Sequence, residues 1–171
     1  GSAGIGSGTH INGEKFKLAA GVDVVHVPYK GTPEALTDTM TGRIAFFFSP
    51  ISAALPLVRD GKLVALAVSS AKRSSVLPAV PTVAESGLPG FDYNLWVGMF
   101  APAGTPADVV EKLNRDVNRV LRETDVRERM MSLGAEAMPM SAAEFDHFMR
   151  TEMDDAAKVV KRLTRAGHRA Y

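Results

Sequence analysis

The chain has 171 residues, the size of one domain with an appendage, and 46% hydrophobic against 23% charged residues is the balance of an ordinary globule. Twenty Lys+Arg nearly cancel nineteen Asp+Glu, so a net charge of +1 gives no reason to invoke nucleic acid or an acidic membrane surface. No apolar run approaches the ~20 residues of a bilayer span, and the absence of cysteine excludes disulfide frameworks and thiolate metal sites.

The opening GSAGIGSG has neither the basic nor the apolar region of a secretion signal. It leads into Thr9 to Leu18, where Ile11, Phe16 and Leu18 predict a modest helix ending at Gly21. Val22 to Pro28 is β-branched and apolar, which predicts a strand buried on both faces. After the turn Tyr29-Lys30-Gly31, the cap Thr32, Pro33 and early acid Glu34 predict a helix to about Thr41, stopped by Gly42. Arg43 to Phe48 is a second strand, Ser49-Pro50-Ile51-Ser52 opens a helix to Arg59, and Leu63 to Val68 is a third strand. An irregular stretch from Ser69 to Pro81 precedes a short capped helix at Thr82 to Glu85, the turn Gly87 to Gly90, and a fourth strand, Tyr93 to Phe100, holding Trp96. Two long amphipathic helices follow, with one brief strand from Glu136 to Met140 between them. The first opens at Thr105-Pro106 and would bury Val109, Leu113, Val117, Val120, Leu121 and Met130. The second opens with the capping box Ser141 to Glu144 and would bury Phe145, Phe148, Met149, Ala156, Val160 and Leu163.

Strand, helix, strand, helix, strand at this spacing describes two right-handed crossovers, so the fold class is α/β with a mostly parallel sheet, plus two C-terminal amphipathic helices. In such sheets ligands bind where strand-to-helix loops gather. The glycine loop from Ser2 to Thr9 has that character but no strand before it, and reads as half of a βα unit whose strand lies upstream; the chain is therefore expected to be a fragment. Glycines at 4, 6 and 8 let backbone approach a ligand, free N–H groups at the helix start favour an anion, and Ser2, Ser7 and Thr9 add hydroxyls. Taken alone, the same stretch could be a flexible terminus. It matches neither the dinucleotide-binding fingerprint nor the phosphate-binding loop.

Five segments taken together resemble the substrate-binding receptors of tripartite tricarboxylate transporters, the Bug family of extracytoplasmic solute receptors: GSAGIGSGTH at 1–10, VHVPYKGTPEAL at 25–36, SAALPLVRDGKLVALAVSSAKRS at 52–74, LPAVPTVAESGLPGF at 77–91 and LWVGMFAPAGTP at 95–106. The resemblance implies a periplasmic-binding-protein-like, type II Venus flytrap whose second lobe is residues 1–100, while 101–171 form a crossover and helices that return to cover a first lobe this chain lacks. It implies a periplasmic protein that captures a small carboxylate, such as a di- or tricarboxylate or an amino acid, for membrane permease subunits. Its ligand wall would be Ser2, Ala3, Gly4, Gly6, Ser7, Thr9, His10, Tyr29, Gly31, Ser49 and Ser52. Many relatives carry Asp or Asn near Phe48-Ser49-Pro50, so the preference for the ligand's far end stays open.

No catalytic residue, cofactor or metal is assigned. His10 and Glu14 lie four apart on the predicted helix, but two ligands do not make a metal site; His10 is expected to cap or order the loop, and His26 to be a core histidine. Ser7 lacks a nucleophile elbow, so an esterase-like hydrolase is the rival reading. A third is an interaction module acting through the Met-rich C-terminal helices. Trp96 is expected at the lobe junction, Lys72-Arg73 in solvent or against a permease. With their own lobe absent, the C-terminal helices are expected to pack on each other and on a second copy of the chain.

Overall fold

The computed structural model describes residues 1–165, with side chains as far as Lys161. The expected burial of Leu163, and the stretch 166–171 of the second unit, lie outside the described residues. Six helices are described: α1 (Gly8–Ala20), α2 (Thr32–Met40), α3 (Ile51–Arg59), α4 (Ala107–Arg122), α5 (Thr124–Ser132) and α6 (Ala142–Arg165).

The first three span ranges close to those expected, but only α1 has a side-chain cap: α2 starts after Gly31 with the expected cap Thr32 inside the helix, and α3 starts after Pro50, neither with a side-chain hydrogen bond at its head. Ser7 caps α1 by accepting from the His10 N–H, and Gly21 ends it at φ 64° with its N–H on the Lys17 carbonyl. Pro33 sits in the first turn of α2. The apolar residues of α1 are only half-buried, whereas its buried positions are polar: Thr9, His10, Asn12 and Glu14. Phe16 joins a ring cluster with Phe46, Phe48 and Phe91 at centroid distances of 5.7, 5.5 and 6.4 Å, and this packs α1 onto the 43–48 segment.

The expected sheet is the main departure. The segments 22–28, 43–48, 63–68, 93–100 and 136–140 form no ladder among the described residues; two isolated parallel bridges appear, Ser2 with Pro28 and Val68 with Thr82. Half-buried and exposed residues alternate along 24–27, 63–67 and 96–98, the period of an extended chain covered on one side. Val25 is 90% exposed and Val97 96%, so burial on both faces does not occur. Parallel ladders are stable where layers cover both faces; here one face of these segments is exposed.

The C-terminal half departs in a second way. The first long helix is two, broken at Glu123 (φ −65°, ψ 136°), because Thr124 and Asp125 suit a helix start better than a helix interior, and Asp125 lies in the first turn of α5. Val109, Leu113, Val117 and Val120, expected to be buried, are exposed. The face of α4 that turns inward is mixed: Val110 and Leu121 are half-buried on it, and between them Asn114 and Asn118 both donate side-chain N–H to the Met140 carbonyl, at 3.0 and 2.7 Å. The capping box opens α6 as expected, with Ser141 N–H on Glu144 Oε2 at 2.8 Å and Glu144 N–H on Ser141 Oγ at 3.2 Å. An identical exchange between Thr82 and Glu85 closes turns instead of the short helix expected there. Helix α6 lies against α1 and α4. Its Phe145 and Phe148 meet the Trp96 ring edge-on at 6.0 and 5.4 Å, and Glu152 Oε2 accepts from Trp96 Nε1 at 3.0 Å. Trp96 thus ties the two halves of the chain together.

Candidate functional site

Three chain segments end at one level. Ser2 N–H donates to the Val27 carbonyl at 3.1 Å, Tyr29 N–H returns to the Ser2 carbonyl at 3.0 Å, and the Gly1 amino group donates to the Phe46 carbonyl at 2.9 Å. The loops that follow, 3–7, 29–31 and 49–50, therefore leave from a common edge. A parallel α/β fold places ligands at such an edge.

The glycine loop is closed on itself. Ser2 is wholly buried, and its Oγ lies 2.6 Å from His26 Nε2 while accepting from Gly4 N–H at 3.2 Å. Ala3 N–H donates to Thr9 Oγ1 at 2.9 Å, and Gly6 N–H donates to His10 Nδ1 at 3.1 Å. The Gly4 carbonyl accepts from both Ser7 N–H (3.2 Å) and Ser7 Oγ (2.7 Å). With its one hydroxyl proton so used, Ser7 must accept from Thr9 Oγ1, 2.9 Å away, as well as from His10 N–H. Gly4 at φ 131° and Gly6 at φ 78° make the path possible. Seven of the expected site residues, Ser2, Ala3, Gly4, Gly6, Ser7, Thr9 and His10, thus form one web whose hydroxyls are turned inward. Among the described residues, the first-turn N–H groups of Gly8 and Thr9 have no partner in the chain.

The remaining expected residues stand around this web. The Tyr29 carbonyl passes 3.3 Å from where a Gly4 Cβ would be, but its hydroxyl turns away to Asp38 Oδ2 at 2.8 Å. Gly31 precedes α2 in extended conformation. Ser49 Oγ donates to the Pro50 carbonyl at 3.1 Å, and Ser52 is exposed in the first turn of α3; no hydrogen bond joins either to the glycine loop among the described residues.

Two neighbours were not among the expected site residues, although His26 was expected in the core. A Cβ on Gly8 would land on Leu95 Cδ1 and lie 3.3 Å from Tyr93 Oη, so the 93–95 segment closes on the head of α1. Tyr93 N–H is itself held by the Ser69 carbonyl at 2.8 Å. Nothing in a strand-like run marks which residue will face a loop 85 positions earlier. The second is His26, whose ring stacks on His10 at 4.1 Å and 18°.

Burial lowers the affinity of both imidazoles for a proton. For His26 the neighbouring His10 adds to the effect and the pKa falls to about 4; for His10 the nearby Glu14 partly opposes it. Both rings are neutral near pH 7. Glu14 Oε1 lies 3.9 Å from His10 Nε2 and is held by Lys17 Nζ at 3.1 Å. A Ser–His pair does exist in Ser2 and His26, but Ser2 has no exposed surface from which to attack a substrate.

The profile described as the tripartite tricarboxylate transporter family receptor matches residues 1–164. The chain is 39% identical over 134 residues to a UPF0065 protein in the tcbD-tcbE intergenic region of a Pseudomonas species, covering 78% of this chain and 40% of that protein. Its structure superposes on Rpa4515 of R. palustris with adipate at a TM-score of 0.87 and 35% identity, covering 91% of this chain and 52% of the other. It also superposes on MatC of Rhodopseudomonas palustris with bound malate at a TM-score of 0.80 and 34% identity, covering 89% and 53%. The chain thus spans about half the length of these relatives.

Proposed function

We propose that this chain, which belongs to the tripartite tricarboxylate transporter receptor family, forms one wall of a periplasmic receptor that captures a small dicarboxylate and passes it unchanged to membrane permease subunits. The observation that carries the reading is the head of α1: a rigid, self-satisfied loop that leaves the Gly8 and Thr9 N–H groups unused. Adipate and malate in the two similar structures support a dicarboxylate as the ligand. A carboxylate accepting both bonds would gain ~1.5–3 kcal/mol from each and ~0.3–1 kcal/mol from the helix terminus. That corresponds to dissociation constants from a few millimolar to about ten micromolar for this wall alone. Tyr29, Gly31, Ser49 and Ser52 would complete the wall from the neighbouring loops. The exposed α4 stripe of Val109, Leu113, Val117 and Val120 is the surface through which the chain would self-associate; a clean monomer in light scattering would remove that part.

Calorimetric titration with malate and adipate tests the central claim. Weak binding of either, with no turnover of p-nitrophenyl acetate, is the expected result. Turnover of the ester that is lost in Ser7→Ala would replace the receptor by the hydrolase.

A further inference from the structure

The loop that would receive the carboxylate is not held by glycines alone. His10 Nδ1 accepts from Gly6 N–H at 3.1 Å. Since an amide can only donate, Nδ1 must carry the lone pair, and the proton of the neutral ring is then on Nε2, towards Glu14. The His26 ring is stacked on it at 4.1 Å and reaches Ser2 Oγ, which in turn accepts from Gly4 N–H. Every second residue from Ser2 to Gly6 is thereby fastened through one of the two rings. A cavity of about 330 Å³ opens beside the pair, so protons have access.

We propose that His10 and His26 act as positioning residues for the glycine loop, holding it in its closed form only while both imidazoles are neutral. Protonating His10 puts a second N–H opposite the Gly6 N–H and removes its acceptor, and charging both rings sets two imidazolium faces 4.1 Å apart. The groups around the pair reinforce or oppose this in identifiable ways. Glu14 on α1 favours the charged rings, whereas Lys17 on the same helix and the Gly1 amino group disfavour them; Arg43 lines the same cavity. The depressed proton affinity of both rings agrees with the geometry and places the transition on the acid side of pH 6.5. The consequence for function, which rests on the receptor reading above, is that the carboxylate site loosens in acid.

Amide exchange of the ligand-free chain, followed by NMR from pH 7.5 to 4.5 and corrected for intrinsic rates, reads the loop directly. Protection of the Gly6 amide should fall about tenfold or more across that range, in step with the imidazole nitrogen shifts, while α4 amides stay protected. His10→Asn keeps an acceptor at the Nδ1 position without a titrating ring and should make the Gly6 profile flat; His10→Leu should leave Gly6 unprotected at every pH. A flat wild-type profile would overturn the proposal, as would full Gly6 protection in His10→Leu at pH 7.5 or loss of protection throughout the chain at one pH. Malate titration separates the two readings. No malate binding at any pH with a titrating loop would fail the receptor alone, and malate binding with a pH-independent loop would fail the histidine pair alone.

Discussion

Gly4→Ala is the sharpest test of the loop's construction. At φ 131° the residue occupies backbone space that is essentially glycine's, worth roughly 1–3 kcal/mol of strain for alanine. The added Cβ would also sit 3.3 Å from the Tyr29 carbonyl, which cannot retreat because Tyr29 N–H is bonded to Ser2. Relieving the strain by rotating the peptide would pull the Gly4 carbonyl from Ser7 N–H and Ser7 Oγ, at ~0.5–1.5 kcal/mol each. Either route costs about 1–3 kcal/mol. For a chain of this length the melting temperature should drop by roughly 2–12 °C. If the loop opens instead of the fold, malate affinity should fall by about tenfold or more, since one charge-assisted bond at the head of α1 is worth that much. Gly6→Ala is the control: its φ of 78° is an ordinary left-handed one and nothing lies within 4 Å of the new Cβ, so its cost should be ~1 kcal/mol. Urea unfolding and calorimetry on both variants decide the matter. Equal costs for the two glycines would refute the claim that Gly4 is constrained by the Tyr29 strand end.

Gly13→Ala should act in the opposite direction, because Gly13 is an interior residue of α1 with no positive φ and open space at its Cβ; a gain of ~0.5–1 kcal/mol in urea is expected, and a loss would mean the helix frays there. Phe148→Ala removes one of the rings holding Trp96; for a half-buried phenylalanine about 1.5–3 kcal/mol should be lost, with a red shift in tryptophan emission, and an unchanged spectrum would place α6 elsewhere. Because both histidines have folded-state pKa values below 6.5, the unfolded chain binds protons that the fold refuses; stability should be constant above about pH 7 and fall from 6.5 down towards 4. Urea midpoints at pH 7 and 5 check the sign, and a midpoint that rises in acid would show that Glu14 dominates the pair.

What was legible in the sequence was local, and what was not depended on distant segments. Ser7, Gly21 and the two Thr/Ser-to-Glu boxes state their hydrogen bonds within four residues, and the structure makes these, even where the Thr82 box caps no helix, whereas the expected cap Thr32 makes none. The α4 stripe misled because its valines at helical spacing record an apolar face without saying what covers it. Two inward positions of α4, Asn114 and Asn118, instead meet a carbonyl 26 and 22 residues away, respectively. The burial expected on both faces of the extended segments fails in the same manner: Val25 and Val97 belong to faces that would need a second layer, and a run of β-branched residues cannot report that layer's presence. At the site the glycine spacing was read as a loop whose backbone can approach a ligand, and in the structure the serine and threonine hydroxyls of that loop are consumed in shaping it. The physical reason is ordinary: a loop with three positions free of side chains has few contacts to define it, and short polar side chains are the nearest groups able to fix its backbone. His26 completes that web from 24 residues away, through a contact with Ser2 that no motif encodes. On the proposed reading, the anion donors of this loop would be the backbone groups left over once its own side chains are satisfied, so substituting its hydroxyl residues should alter loop order before it alters any direct contact with a carboxylate.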